Sequence, residues 1–352
     1  ETSPFRHRWR DPRSGLHARL TSIGAAAAAS VLLTACAASA EIIRFATYDT
    51  GLGRKGPGVM LRDLRAARNE QSEAALAVIA AGQADVILLM DVDWDQGGLG
   101  LDALAERLAD LGQSYPYRLS LRPNSGIPSG VDLDGDGTTH EARDALGYGW
   151  FTGDSGLVVL SRYPLGTTRD LSDMRWSDRS EAAQLLPPEA RQIVPLATTA
   201  QWVVPVMLGA TEITLITLSA GTPVFDGPED RNGLRNRDEL ALVSELARDA
   251  DLPLVMGRAN QDPERGEGVR EALFDLLNLT TLQDARPTAP GGSPATVRWD
   301  GPGEMRVDYV LPPRALSVVG AGVLWPEPGD PLRAITETAG PARLVWVDVA
   351  VP

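Results

Sequence analysis

Apolar and polar residues follow two different periods along the chain from residue 42 onward. Residues 42–48 alternate with a period of two, which predicts a strand. Residues 85–90 form a nearly continuous apolar run, which is typical of a strand buried on both faces. Residues 72–81 and 101–111 place apolar side chains three or four positions apart, so each segment predicts an amphipathic helix.

The remainder of the chain continues this mixture of strands and helices. Residues 122–154 form a long polar, glycine-rich segment that predicts a loop. Strands are predicted over residues 156–160, 202–208, 212–218, 252–256, 305–311 and 344–349, and helices over residues 235–248 and 271–277. Because several strands follow one another directly, the order favours an α/β (α+β) fold. In that fold a two-sheet mixed β-sandwich is flanked by helices, giving four layers in the order α/β/β/α.

The beginning of the chain differs from the remainder in composition. Five arginines precede an alanine-rich apolar run over residues 20–35, which is typical of a secretory leader and too short for a membrane span. A lipobox ending at the lipidated Cys36 and ordinary cleavage after residues 38–40 are both open. The sequence predicts a leader over residues 1–40 and one domain over residues 41–352. The protein is then an exported periplasmic or cell-surface lipoprotein, held at the membrane only by a lipid anchor, or alternatively a secreted protein.

Charge and two scarce residue types limit the chemistry that the chain can perform. The net charge is −14, so the surface is expected to repel polyanions, and nucleic acid is not expected as a partner. Cys36 is the only cysteine, which excludes a disulfide within one copy. His140 is the only histidine after the leader, although histidine is the usual proton-transfer residue at neutral pH.

One acidic run has the spacing of a calcium-binding loop. Asp132, Asp134 and Asp136 alternate with other residues and are followed by Gly137, as at the opening of such a loop. The twelfth position, where an EF-hand has a bidentate acid, is Arg143, so the run is not an EF-hand. The run predicts either a structural Ca²⁺ site or a polar surface turn.

Seven segments in a fixed order resemble the endonuclease/exonuclease/phosphatase superfamily, in particular a bacterial exported branch with a degenerate active site. They are residues 44–49, 85–93, 123–137, 156–164, 222–233, 306–311 and 343–346. The resemblance implies a DNase I-like fold with a cleft between the sheets. In that cleft carboxylates hold a divalent cation, and water attacks a phosphate ester.

The resemblance also assigns individual positions. Four family-equivalent positions keep a carboxylate or an amide: Asp49, Asp91, Asn260 and Asp308. Four others replace the family's histidines or acids: Ser219, Arg258, Pro341 and Ala342. A proline and an alanine side chain cannot accept a proton or hold a phosphate oxygen, so these replacements argue against hydrolysis.

Two hypotheses describe what Arg258 does among these acids. In the first, Asp49 and Asp91 still bind Mg²⁺ or Ca²⁺, because carboxylates suit hard cations. In the second, which we favour, Arg258 lies among Asp49, Asp91 and Asp308 as an internal counter-cation that replaces the metal, because buried charges must be paired.

These observations predict a non-catalytic binding protein, or pseudoenzyme, whose partner is an unknown protein or a small phosphorylated ligand. The alternative is a weak or rewired divalent-metal phosphoesterase that uses Asp49, Asp91, Asn260 and Asp308, with Mg²⁺ as cofactor. A third hypothesis, a calcium-dependent interaction module, overlaps with the first and depends on Asp132, Asp134 and Asp136.

Overall fold

The computed structural model describes residues 40–352. The predicted leader, apart from its last residue, lies outside the described residues, and so does Cys36. Within the described part of the chain, no helix has the length and apolar character needed to cross a membrane.

Strands and helices alternate through the described residues. The strands are β1 (Glu41–Asp49), β2 (Val86–Val92), β3 (Tyr117–Leu119), β4 (Gly156–Ser161), β5 (Arg169–Asp170), β6 (Trp202–Leu208), β7 (Thr211–Ser219), β8 (Pro253–Arg258), β9 (Val297–Trp299), β10 (Gly303–Met305), β11 (Asp308–Leu311), β12 (Ser317–Val323) and β13 (Val345–Val351). The helices are α1 (Val59–Ala66), α2 (Glu70–Gly82), α3 (Leu99–Asp110), α4 (Arg231–Asp249), α5 (Arg270–Leu277) and α6 (Pro331–Ala339).

Two mixed sheets form the centre of the domain. The first has the strand order β12-β13-β1-β2-β4-β3, and the second has the order β11-β8-β7-β6-β5. Strands β1 and β2 are parallel, as are β7 and β8, whereas the other pairs within these sheets are antiparallel. Strands β9 and β10 form a separate antiparallel pair.

Buried side chains define the layers. Phe45 and Leu88 of the first sheet pack in one cluster with Trp202 and Met256 of the second sheet, so the two sheets face each other across a core. The outer face of the first sheet packs against α1, α2 and α3, and that of the second sheet packs against α4 and α5. The predicted four-layer α/β/β/α sandwich is therefore confirmed.

Three details differ from the sequence pattern. The pattern does not predict two helices, α1 and α6, or four strands, β3, β5, β9 and β12. Helix α4 begins at Arg231, earlier than the predicted residue 235. The strand predicted over residues 305–311 is interrupted, because Arg306 donates its amide to Asp262 and its guanidinium to Asp284. These bonds separate β10 from β11.

Candidate functional site

The two parallel strand pairs end at a single cleft. Asp49 ends β1 and Asp91 lies near the end of β2, while Ser219 ends β7 and pairs with Arg258 at the end of β8. The cleft has a volume of about 930 Å³, and these four residues line it. The fold therefore brings together side chains that are far apart in the sequence.

Arg258 lies on the floor of this cleft and is bound by two carboxylates, that of Asp49 in the cleft lining and that of Asp308 behind it. Its Nε donates to Asp308 Oδ1 at 2.8 Å and its Nη2 donates to Asp308 Oδ2 at 3.2 Å, while its Nη1 donates to Asp49. The Asp308 side chain is only 1% exposed, against 19% for Asp49. Trp299 also lines the cleft, with its ring centre 6.0 Å from the guanidinium. Arg258, Asp49 and Asp308 thus form one ion cluster, in which the guanidinium is paired with a carboxylate on each side.

The pKa of Arg258 follows from this cluster. Burial lowers the pKa of the guanidinium, but Asp308 and Asp49 outweigh burial and leave that pKa above its ordinary value. Arg258 is therefore a permanent cation on the cleft floor.

Sheet geometry explains why Arg258 and Asp308 meet. The two residues are register partners in the antiparallel pair of β8 and β11. Gly257, directly before Arg258, has φ +135°, and a Cβ there would lie 1.8 Å from the carbonyl oxygen of Leu218. Only glycine allows β8 to approach β7 so closely. This approach sets the position of the Arg258 backbone, and therefore the point from which its side chain extends.

Asp91 has a different partner. Its Oδ1 accepts a hydrogen bond from Ser155 Oγ at 2.5 Å, and no hydrogen bond joins it to Arg258. Asp91 and Ser155 both have a left-handed backbone, with φ of 54° and 53°. Burial, followed by the charge of Asp49, raises the pKa of Asp91 to about 6. The predicted counter-cation thus binds Asp49 and Asp308 directly, whereas it acts on Asp91 only through its field.

Asp93 is a neighbouring acid that the sequence reasoning did not single out. It follows β2, and its carboxylate accepts backbone N–H groups from Arg54 at 3.1 Å and Ser155 at 3.4 Å. Burial raises the pKa of Asp93 to about 7 despite these bonds. A second acid two positions after Asp91 was the available signal.

Asn260 lies at the cleft, as the resemblance implies. Its side-chain amide donates to the carbonyl of Ala220 at 2.8 Å, which links the loops after β7 and β8. Its φ of 54° is again left-handed. One of the two N–H donors of this amide is therefore used within the protein.

Pro341 and Ala342 contribute backbone contacts. The carbonyl of Pro341 accepts from the amide of Arg298 at 3.0 Å. Arg343 Nη1 donates to the carbonyls of Gly340 at 2.7 Å and Ala342 at 2.8 Å. This segment presents no titratable side chain where the resemblance implies an aspartate and a histidine.

The predicted calcium loop forms one wall of the cleft. Asp134 and Asp136 line it. Asp132 accepts the amides of Gly135 at 2.6 Å and Gly137 at 2.8 Å. Oxygens of Asp132, Asp134 and Asp136 lie within 4.8 Å of one another, and residues 40–352 contain no other such group of three potential metal ligands. Arg143 Nη1 lies 3.8 Å from Asp134 Oδ2.

The cleft floor does not fit a divalent cation. Ca²⁺ and Mg²⁺ are bound by oxygen ligands, and Mg²⁺ commonly uses one or two carboxylates. Of the two carboxylates that line the floor, Asp49 and Asp91, the first instead binds the Arg258 guanidinium, as does Asp308 behind it. A divalent ion beside them would be repelled by that permanent positive charge.

Helix α4 joins the acidic loop over residues 132–137, which forms one wall of the cleft, to the second sheet through hydrogen bonds. Arg231 donates to the carbonyl of Leu133, and Arg235 donates to the carbonyls of three residues: Leu146, Pro195 and Leu196. Glu239, one turn further on, accepts the amides of Thr198 and Gly221. The sequence pattern places Arg235 and Glu239 in a predicted helix but leaves Arg231 outside it, and it does not indicate these contacts to the loops.

Comparisons with known proteins agree with this architecture. The sequence model of the endonuclease/exonuclease/phosphatase family matches residues 48–341. No curated protein sequence matches the chain.

Three solved structures illustrate the similarity of fold. An endonuclease/exonuclease/phosphatase from Beutenbergia cavernae DSM 12333 has 20% identity and a TM-score of 0.55, over 88% of this chain and 72% of that one. A family protein from Leptotrichia buccalis C-1013-b has 14% identity and a TM-score of 0.53, over 87% and 99%. One from Bacteroides thetaiotaomicron has 12% identity and a TM-score of 0.51, over 89% and 99%. The family match covers most of the chain, which therefore belongs to the endonuclease/exonuclease/phosphatase family.

Proposed function

We propose that the protein binds a ligand in its cleft and does not hydrolyse phosphate esters. Arg258 carries this proposal, because its guanidinium is held by Asp49 and Asp308 on the cleft floor. In metal-dependent hydrolysis a divalent cation polarises the ester and activates water. A guanidinium can hold an anion, but it is permanently charged and cannot accept a proton.

The replaced positions support the same conclusion. Ser219, Pro341 and Ala342 stand where the resemblance implies histidine or aspartate. None of these side chains accepts a proton at neutral pH, and loss of one member of a catalytic set is commonly severe. The proposal is a binding protein on a hydrolase scaffold.

The alternative is a weak phosphoesterase that uses Asp49, Asp91, Asn260 and Asp308 with Mg²⁺. One observation favours it: the Asp91 carboxylate lines the cleft and is hydrogen-bonded to Ser155 and not to Arg258, so it remains available to a cation. The two functions differ in turnover, which an assay separates.

Three further features belong to the proposal. The protein is exported through its leader, either as a lipoprotein held at the membrane only by a lipid anchor on Cys36 or as a secreted protein. A structural Ca²⁺ is held by Asp132, Asp134 and Asp136. Nucleic acid is not the ligand, because the net charge of −14 repels a polyanion.

The deciding experiment is phosphoesterase turnover by the purified protein. Mono- and diester substrates are supplied with Mg²⁺, Mn²⁺ or Ca²⁺, beside the double variant Asn260→Ala, Asp308→Ala. We expect the wild-type rate to equal that of the double variant with every metal. Metal-dependent turnover that disappears in the double variant would overturn the proposal and establish the phosphoesterase.

A further inference from the structure

Two exposed aromatic rings line the cleft from different loops. Tyr148 lies between the acidic loop over residues 132–137 and β4, and it is 60% exposed. Phe225 lies between β7 and α4 and is 81% exposed, more than any other large apolar residue of the described chain. Because covering an aromatic ring releases water from apolar surface, both rings offer binding energy to a ligand in the cleft.

The backbone holds Phe225 in this exposed position. Its φ of 72° lies in the left-handed region, which a bulky side chain rarely adopts. Asn232, in the first turn of α4, fixes the residues on both sides of Phe225. Its side-chain amide donates to the Val224 carbonyl at 2.9 Å, and its backbone N–H donates to the Asp226 carboxylate. Such strain persists only where the surrounding structure imposes it, and it is concentrated at functional sites.

Neither a cation nor an anion finds a free counter-charge on the cleft floor. Arg258 is already paired with Asp49 in the lining and with Asp308 behind it. The other floor carboxylate, Asp91, accepts the Ser155 hydroxyl. A cation that enters is repelled by the permanent charge of Arg258, and an anion is repelled by Asp49 and Asp91. An uncharged ligand avoids both costs.

The polar groups left open in the lining include both donors and acceptors of hydrogen bonds. They are the hydroxyls of Tyr148, Thr199 and Thr222, the second amide N–H of Asn260, and the exposed, oppositely charged side chains of Arg143 and Glu229. None of the three hydroxyls has a hydrogen-bond partner among residues 40–352. A ligand rich in hydroxyl groups suits this mixture, because each hydroxyl can both donate and accept.

We infer that the cleft binds a neutral oligosaccharide, with sugar rings stacked on Tyr148 and Phe225 and sugar hydroxyls bonded to the open polar groups. The C–H groups on one face of a sugar ring pack against an aromatic ring, while the hydroxyls around its edge remain free for hydrogen bonds. The cleft volume of about 930 Å³ accommodates more than one sugar ring.

This inference rests on the proposed binding function and gives that function an uncharged ligand. It departs from the phosphorylated ligand that the resemblance implies, because the floor carboxylates repel a phosphate group. It leaves the three acids of the loop over residues 132–137 to calcium.

Calorimetric titration of the purified protein with hexasaccharides tests the inference. The neutral probes are cellohexaose, maltohexaose and the hexamer of N-acetylglucosamine. The charged probes, at the same ionic strength, are the cationic hexamer of glucosamine and the anionic hexamer of galacturonic acid. We expect saturable binding of a neutral hexamer and binding about tenfold weaker or less for both charged hexamers, since each meets like charges in the cleft.

Removal of either ring should weaken this binding. We expect Phe225→Ala and Tyr148→Ala each to reduce the affinity for the neutral hexamer about tenfold, because each removes one stacking surface. Phe274→Ala and Tyr117→Ala are the matched controls. These two rings are also exposed, at 42% and 39%, but they do not line the cleft, so their removal should leave the affinity unchanged.

The outcomes separate this inference from the proposed function. The inference is overturned if no neutral hexamer binds, or if a charged hexamer binds more tightly than the neutral ones. Unchanged affinity in both cleft variants, with their folding verified by thermal melting, would also overturn it, as would equal losses in the cleft variants and the controls. None of these results depends on phosphoester turnover, so the proposed function would stand or fall by its own assay.

Discussion

Arg258 joins two carboxylates that differ greatly in their access to water. The Asp308 side chain is 1% exposed, whereas that of Asp49 is 19% exposed and lines the cleft. A buried pair is costly to form from separated, hydrated charges. Breaking it by removing one partner is costlier still, because the remaining charge stays buried without a counter-ion.

Replacing Arg258 by methionine should therefore destabilise the protein strongly. We expect Arg258→Met to lower the free energy of unfolding by about 3–5 kcal/mol, measured by urea denaturation. Adding Asp308→Asn should recover part of that loss, since it removes the unpaired charge.

An exposed ion pair provides the control. Arg175 and Asp178 are 45% and 51% exposed, so Arg175→Met should change stability by at most about 1 kcal/mol. Equal losses in Arg258→Met and Arg175→Met would show that the ion cluster contributes no more than a surface pair.

The sequence predicts this cluster only in part. Arg258 beside Asp49 and Asp308 follows from the rule that buried charges are paired, once the resemblance has placed all three at one cleft. Ser155 could not be predicted as the partner of Asp91. A hydroxyl one residue before a strand carries no periodic signal, and its approach depends on Gly53, where a Cβ would lie 2.2 Å from Asp91 Oδ1.

At the scale of elements, strand prediction depended on burial. Strands buried on both faces, such as β2 and β8, appear in the sequence as apolar runs. Strand β12 contains two glycines and has a mixed burial pattern, so its alternation is weak. Helix α6 begins with favourable signals, an Asp330 cap and a proline in the first turn, but it is only nine residues long and three of them are β-branched, which weakens its periodic signal.

The acidic loop over residues 132–137 is the element whose function is most directly testable. We expect Ca²⁺ to raise the melting temperature of the protein, because an ion that binds only the folded state stabilises it by mass action. Saturation at about 100 times the Kd corresponds to about 2.7 kcal/mol. Asp134→Asn should abolish the increase, whereas Asp91→Asn should retain it. The reverse pattern would place the ion on the cleft floor.

Arg143 and Asp144 limit how this loop can bind calcium. Arg143 lies 3.8 Å from Asp134 Oδ2 and opposes a cation by its charge. Asp144 cannot replace the missing twelfth ligand without losing its bonds, because it accepts the amides of Leu133 at 2.8 Å and Glu141 at 3.2 Å. Calcium bound here would therefore depend on the three alternating acids and on solvent.

At the scale of the whole molecule, the excess of acids sets the response to pH. The net charge of −14 means that deprotonation increases self-repulsion. Burial raises the pKa values of Asp91 to about 6 and of Asp93 to about 7. For Asp284, burial is outweighed by Arg306, and its pKa is lowered. Ionised Asp284 therefore stabilises the fold fully above its unfolded pKa. This contribution is lost as pH falls through the lower pKa that Asp284 has in the folded state.

Between about pH 4 and 7, the groups with raised pKa values, Asp91 and Asp93, should dominate the pH dependence of the free energy of unfolding. The folded state holds the proton of Asp93 more tightly than the unfolded chain does, whose pKa is about 3.9. Stability from this proton is complete below that value and is lost as pH rises through about 7. We expect the protein to be more stable at pH 5 than at pH 8 in urea denaturation. Asp93→Asn should reduce the difference by about 2 kcal/mol, after allowance for solvent screening. Asp110→Asn, an exposed change at the end of α3, should leave it unaltered, and the same result for Asp93→Asn would contradict the assignment.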